Sequence, residues 1–429
     1  MTEQRRSRFR ATGTVAGLAA TALILTACSS GTSETGAEDG AVEFSMTYQA
    51  ANNMESPYEV LAKAYMEANP NVTITLNPQP NDTYGQNLRT QLNAGNAPDI
   101  VQTAPGRGQP NSVVALAEAG FLAELDETAA GIVPAGSESL FGIEGATYGQ
   151  PMELTVTSMV YSTTNADAAG VSSFPDDFDA YLKACADVAG QGKSMLAVAG
   201  AAPPNTGMLA MSLSASRVYA QTPDWNDQRT AGDVSFADSE GWETTLETII
   251  SLNDAGCFQG GVEGGGFDVI TNGLGQGTAL GAIVPSATAA EIQRSVPDSV
   301  FAVEPWPVDA GASQYVLASS NYALSINAAS DKGAAAKAFL DWVAEPAQAQ
   351  AFADASGALP VTGYEQLDLS STIYAPVADI LAAGDFAPLP NNMWPNAQVY
   401  EELGTGVQGL LTGQRTVDQV LAAMDTAWG

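Results

Sequence analysis

The sequence contains no histidine among its 429 residues. That removes the commonest general base at neutral pH and the commonest transition-metal ligand. Cations are also scarce: 15 Lys and Arg face 48 Asp and Glu, for a formal charge of −33. Nucleic-acid binding depends on clustered Lys and Arg that release counterions, so the composition excludes a general role of that kind. Acidity alone does not specify a cationic ligand; it serves solubility. Cysteine occurs only three times. No Gly-x-Ser-x-Gly elbow, phosphate-binding loop, zinc-ligand set or solenoid repeat is present. No apolar run reaches the roughly 20 residues of a comfortable membrane span. What remains is a chain with 45% hydrophobic residues, enough for sizeable cores and, by length, two domains or one large one.

The start of the chain is differently composed. Arg5, Arg6, Arg8 and Arg10 precede an uncharged, Ala-rich stretch from Ala11 to Ala27. A cationic start, a short apolar run and small residues before a cleavage point describe a signal peptide over residues 1–27. The run ends in Leu25-Thr26-Ala27-Cys28, which resembles the bacterial lipobox, and polar Ser29-Ser30-Gly31 follows. Cys28 is therefore the expected lipidation site, and residues 28–41 a tether nearly free of hydrophobes. The expected location is the extracytoplasmic face of the cell membrane, held by the lipid. Cys185 and Cys257 are the remaining cysteines. In an oxidising compartment they suggest one disulfide, with two buried thiols as the alternative.

From Val42 the pattern becomes regular. Val42–Met46 alternates as a strand; Ser56-Pro57-Tyr58-Glu59 reads as a capping box with proline at the first helical position. Val60, Leu61, Ala64 and Tyr65 share a helical face, Asn69-Pro70 stops the helix, and Val72, Ile74 and Leu76 alternate again. This is a β-α-β unit. Alternating elements continue through Leu154–Tyr161, the helix carrying Phe178, Tyr181, Leu182, Cys185 and Val188, and Ala282–Val284. They end in a mainly helical region where Thr416 and Gln419 form a second capping box. The order implies an α/β protein with mostly parallel sheets.

Several segments resemble a known family in the same order over nearly the whole chain after residue 41. They include Asn69-Pro70-Asn71-Val72, Gly95-Asn96-Ala97-Pro98-Asp99-Ile100-Val101, and Tyr148-Gly149-Gln150-Pro151 running to Met159-Val160-Tyr161-Ser162. Phe174–Cys185, Gly275–Ala279, Ser325–Ser330 and Gly413–Asp418 continue the series. The sequence resembles the extracellular solute-binding proteins of ATP-driven (ABC) importers, in the sugar-binding group that contains maltose-binding protein. That resemblance implies a two-lobed, type II periplasmic-binding-protein fold with a hinge. Lobe 1 is expected at 42–154 and 322–372, lobe 2 at 155–321 and 373–429. It implies a monomeric receptor without cofactor, metal or enzymatic activity, which closes on a small-molecule ligand and presents it to permease subunits. The ligand class is a mono- or oligosaccharide. Another polar solute (a polyol, glycerophosphodiester or peptide) is the alternative, and a lipid-anchored glycoside hydrolase a further one.

A sugar site combines aromatic platforms with amides, hydroxyls and charged partners. Candidates are therefore sought in loops that follow strands. Asn52 and Asn53 follow the first strand, in a ligand loop or a solvated turn. Gln102 follows Asp99–Val101, and Arg107 lies just beyond. Thr155 stands where the family places a ligand carboxylate, with Glu153 nearby. Asn205 and Ser286 follow strands of the second lobe. Trp225 sits in a polar stretch, as platform or surface anchor. Trp306, between two prolines, covers the hinge or faces the cleft. Asn321 precedes a returning strand. Trp394 lies in a polar loop and is expected at the ligand; Tyr400 is a stacking aromatic or a core residue.

Overall fold

The computed structural model of the protein describes residues 40–50, 56–80, 83–134, 136–175, 177–308 and 312–429. The signal segment, Cys28, Asn52 and Asn53 lie outside the described residues.

In chain order the strands are β1 (Val42–Gln49), β2 (Val72–Gln79), β3 (Ile100–Thr103), β4 (Gly142–Ile143), β5 (Ala146–Thr147), β6 (Gln150–Pro151) and β7 (Glu153–Ser162). They continue with β8 (Ser194–Leu196), β9 (Ala279–Pro285), β10 (Phe301–Glu304), β11 (Val316–Ser319), β12 (Ala323–Ile326), β13 (Leu359–Pro360) and β14 (Phe386–Ala387). One sheet has the order β2-β1-β3-β12-β6, a second the order β14-β11-β7-β9-β8 with β10 and β13 also on β7, and β4-β5 is a separate hairpin.

The two large sheets are mixed rather than mostly parallel. The β1–β2, β1–β3, β8–β9 and β11–β14 pairs are parallel, as helical crossovers require. In contrast β12 runs antiparallel to β3 and β6, and β7 antiparallel to β9, β10, β11 and β13. The reversal has a topological cause: β6 leads straight into β7 past Met152, and β11 returns to β12 through 320–322, so each crossing strand enters its new sheet end-on. The third passage is at β13. Beyond it, Tyr364, Leu369 and Tyr374 already pack with Leu154, Val156 and Val316 of the second sheet.

Local signals explain the elements. Ser56 caps the helix Pro57–Ala68, its Oγ accepting the Tyr58 N–H at 3.3 Å. The expected reciprocal half of that capping box is replaced: Glu59 instead accepts the Tyr48 hydroxyl at 2.8 Å. The buried face of this helix is Tyr58, Leu61, Ala62 and Tyr65, rotated slightly from the expected one because Tyr58 points to the sheet. Thr416 and Gln419 do form a full capping box on Val417–Trp428.

The first sheet is covered by a core that includes Phe44, Met46, Tyr65, Phe339 and Phe352. The second has an aromatic core in which Trp225, Phe236, Trp242, Trp394 and Trp428 meet edge to face or at a tilt. Cys185, on the helix Phe178–Ala189, and Cys257 are disulfide-bonded in this core, Cα to Cα 4.6 Å.

Candidate functional site

The carboxyl ends of β1 and β3 face the carboxyl end of β9 across a cavity of about 270 Å³. Open α/β sheets bind ligands at such ends. The first sheet contributes Gln49, Tyr58 and Gln102. The second contributes Pro285 with Ala287, Thr288 and Glu291 from the helix that follows. Glu153, Thr155, Asn321 and Tyr322 form the crossing-strand wall, with Phe352 and Ser356 beside them.

The amides at this wall are held in place before any ligand arrives. Gln102 is buried; its Oε1 accepts the Gln49 N–H at 2.6 Å and its Nε2 donates to the Tyr58 hydroxyl at 3.1 Å. Having accepted from Gln102, the Tyr58 hydroxyl keeps its own proton to donate. Burial, reinforced by the Glu153 carboxyl, raises the Tyr58 pKa well above its ordinary value, so it stays a donor.

Glu153 is the unusual group. It is 3% exposed. Its Oε1 accepts the Asn321 N–H at 3.2 Å. Its Oε2 is buried without a hydrogen-bond partner. Burial pushes its pKa up to about 8, against the lowering effect of the nearby Asn321 and Tyr322 backbone N–H groups. Since side chains alternate along a strand, Glu153 and Thr155 share the cavity face of β7 while Leu154 and Val156 face a core.

Of the residues picked from sequence, the structure brings Gln102, Thr155 and Asn321 together at this cavity. Ser286 sits just behind it, buried, with its hydroxyl 2.9 Å from that of Tyr374 and accepting the Val156 N–H at 3.2 Å. The others lie elsewhere. Asn205 is a buried strut: it accepts the Ala199 N–H at 2.9 Å and donates to the Ile283 carbonyl at 3.1 Å. Trp225 is 3% exposed, on a helix packed into the aromatic core, so it is neither platform nor surface anchor. Trp394 is fully buried there too, its indole N–H donating to Asn226 at 3.2 Å. Trp306 packs on Tyr181. Tyr400 packs against the same core and donates to the Pro204 carbonyl at 2.5 Å. Arg107 is paired with Glu118 at 2.6 Å in a different groove beside Asp227 and Asn392. Polar flanking sequence made the tryptophans look like loop platforms; their indoles instead close a core.

Sequence reading missed Tyr58, Tyr322, Phe352, Thr288 and Glu291 as wall residues, and chose Thr155 over Glu153. A period-of-two reading of β7 places both on one face. Nothing in the local pattern marks Phe352, which reaches the cavity from a helix distant in sequence.

Among the described residues no group of three or more acidic or cysteine side chains is disposed to hold a metal, and no helix is long and apolar enough to cross a membrane.

A family model described as bacterial extracellular solute-binding protein matches residues 51–350. Comparison with curated proteins by sequence found no match. Among solved structures, a chitin oligosaccharide binding protein superposes with a TM-score of 0.72 at 18% identity, over 90% of this chain and 98% of that one. RafE in complex with raffinose gives 0.72 at 18%, over 90% and 98%. The GacH receptor of Streptomyces glaucescens gives 0.70 at 17%, over 90% and 97%. At these identities the likeness is one of fold.

Proposed function

Because the chain belongs to the bacterial extracellular solute-binding protein family, we propose that it is the receptor of an ATP-driven importer and captures a carbohydrate in the cavity between its sheets. The observation that carries this reading is the chemistry of the wall. Tyr322 offers part-exposed aromatic surface with the buried rings of Tyr58 and Phe352 behind it, and Thr155, Thr288, Gln102 and Asn321 bring amides and hydroxyls to the same wall. Flat apolar faces ringed by hydroxyls are what such a wall suits. The names of relatives with this fold, a chitin oligosaccharide binder and a raffinose complex, favour the same class. A volume of about 270 Å³ lies just below the usual range for ligand pockets of about 300–1,000 Å³ and so favours a small ligand.

In this reading the two sheets, with their helices, move as lobes about the crossings at Met152, 320–322 and β13. Ligand favours the closed arrangement because only there do both walls touch it. A diacylglyceryl lipid on Cys28 holds the receptor beside its permease, since two chains suffice for stable anchoring. Cys28→Ala should release the protein to the medium with ligand affinity intact; retention in the membrane fraction would refute the anchor.

The test is a thermal-shift screen of mono- and oligosaccharides against amino acids, peptides and polyols. A ligand at a hundredfold excess over Kd adds about 2.7 kcal/mol. A shift with a peptide and none with any sugar overturns the substrate class. One observation favours a second reading: two carboxyls, Glu153 and Glu291, reach the cavity, the minimum a glycoside hydrolase uses. Prolonged incubation with oligosaccharides decides between them; cleavage products refute the receptor.

A further inference from the structure

We propose that this cavity selects a carbohydrate carrying a protonated amine, and that Glu153 is the group that pairs with it. The inference rests on the receptor reading and names its substrate class.

Four observations lead there. Glu153 is buried at the cavity wall with one carboxyl oxygen bonded to backbone N–H and the other without any partner. A buried acceptor left unmade is expensive, and buried carboxyls are ordinarily paired. Among the described residues no Lys or Arg lines the cavity, so none of them supplies a counter-charge. The ionisable groups facing Glu153 are the phenols Tyr58, Tyr322 and Tyr374, all raised by burial and hence neutral donors, and at the mouth on the opposite wall a second carboxyl, Glu291. A neutral sugar can donate a hydroxyl to the open Glu153 oxygen but brings no counter-charge to the two carboxyls. An anionic sugar would bring a further acidic group to a wall that already carries two. An ammonium group supplies the missing cation and several strong donors at once.

The free cavity then holds Glu153 as a neutral acid, in keeping with its raised pKa of about 8. Binding an ammonium ionises it. At pH 7 the complex should therefore release about one proton per ligand, while a neutral sugar at the same place releases none.

The probes are matched sets of glucose, glucosamine, N-acetylglucosamine and glucuronate, together with the corresponding disaccharides, and spermidine as an amine without a ring. Isothermal titration in buffers of differing ionisation enthalpy gives Kd and protons released. The proposal expects the amino member of a set to bind about tenfold or more tighter than its neutral and N-acetyl counterparts, with proton release. Glu153→Gln, which keeps shape but not charge, should erase both preference and release. The proton count on unaltered protein stands even if that variant folds poorly. Neutral sugars binding as tightly as amino sugars overturn the inference and leave the carbohydrate receptor intact. Spermidine binding with no sugar binding overturns the carbohydrate reading, leaving Glu153 as an amine partner. Failure of every amine-bearing probe overturns the inference.

Discussion

Gly106→Ala should weaken ligand binding from a distance. Gly106 follows β3 of the first sheet and meets Asn392, which packs beside the second sheet's aromatic core. The Arg107 N–H donates to the Asn392 carbonyl at 3.3 Å. Gly106 has φ +70°, and a Cβ there would stand 1.7 Å from the Asn392 carbonyl oxygen. That oxygen is backbone and cannot rotate away, so the two loops must part. The bridging hydrogen bond is then lost, worth about 1 kcal/mol, and the left-handed backbone costs about 1–2 kcal/mol more for alanine. The backbone cost is common to any alanine at positive φ, which provides the control. Gly95 has φ +69° but nothing within 4 Å of a Cβ, so Gly95→Ala carries the strain without the clash. The difference between the variants isolates the contact between halves. At about 1 kcal/mol for the lost contact, it corresponds to roughly a fivefold weaker ligand. The assays are Kd by titration and radius of gyration by X-ray scattering. The Gly106 variant should be more expanded than both wild type and Gly95→Ala. If Gly106→Ala matches Gly95→Ala in both, the contact has no part in closure.

Three further outcomes follow from buried groups. Reducing Cys185–Cys257, which are 72 residues apart and both fully buried, should cost about 4 kcal/mol from loop entropy, read as a lower melting temperature with reductant; an unchanged melt would refute the bond. Asn205→Ala removes a strut between Ala199 and Ile283 and should cost about 1–3 kcal/mol in denaturant unfolding, with ligand affinity unchanged; a loss of affinity without loss of stability would return Asn205 to the site. Glu153 has its folded pKa raised from 4.5 to about 8. Between those values the unfolded chain binds fewer protons than the folded one, so its contribution to stability is full below about pH 4.5 and lost as pH rises through about 8. Glu153→Gln should flatten that fall by at most about 1.4 kcal/mol per pH unit, and an identical pH profile in the variant would show that the carboxyl is ionised when folded.

The elements were legible in sequence because each is a local matter. Alternation in Val42–Met46, the Ser56-Pro57 start and the Thr416–Gln419 box set strands and caps within a few residues of themselves. Strand direction was less legible, since whether β7 and β12 run with or against their neighbours is decided by where the chain crosses between sheets, over separations no local pattern records. The site was least legible, for a reason that the tryptophans display. Trp225 and Trp394 sit among polar neighbours, and in an isolated segment that suggests a loop at a ligand. Yet one polar neighbour, Asn226, is itself buried and exists to satisfy the Trp394 indole N–H and the Tyr219 hydroxyl. Polar sequence there is the hydrogen-bonding lining of a core, since buried indoles and phenols need partners. The converse holds at Glu153. It lies in a run of ten buried residues, where a carboxyl reads as an exception to be explained away by comparison with a neighbouring position. Burial raises the cost of an unmet polar atom, so the group with one oxygen unsatisfied carries more functional meaning than an exposed aromatic. Partnered polar residues in a core serve the fold; in the proposed reading, the unpartnered Glu153 oxygen at the cavity wall is completed by what the cavity binds.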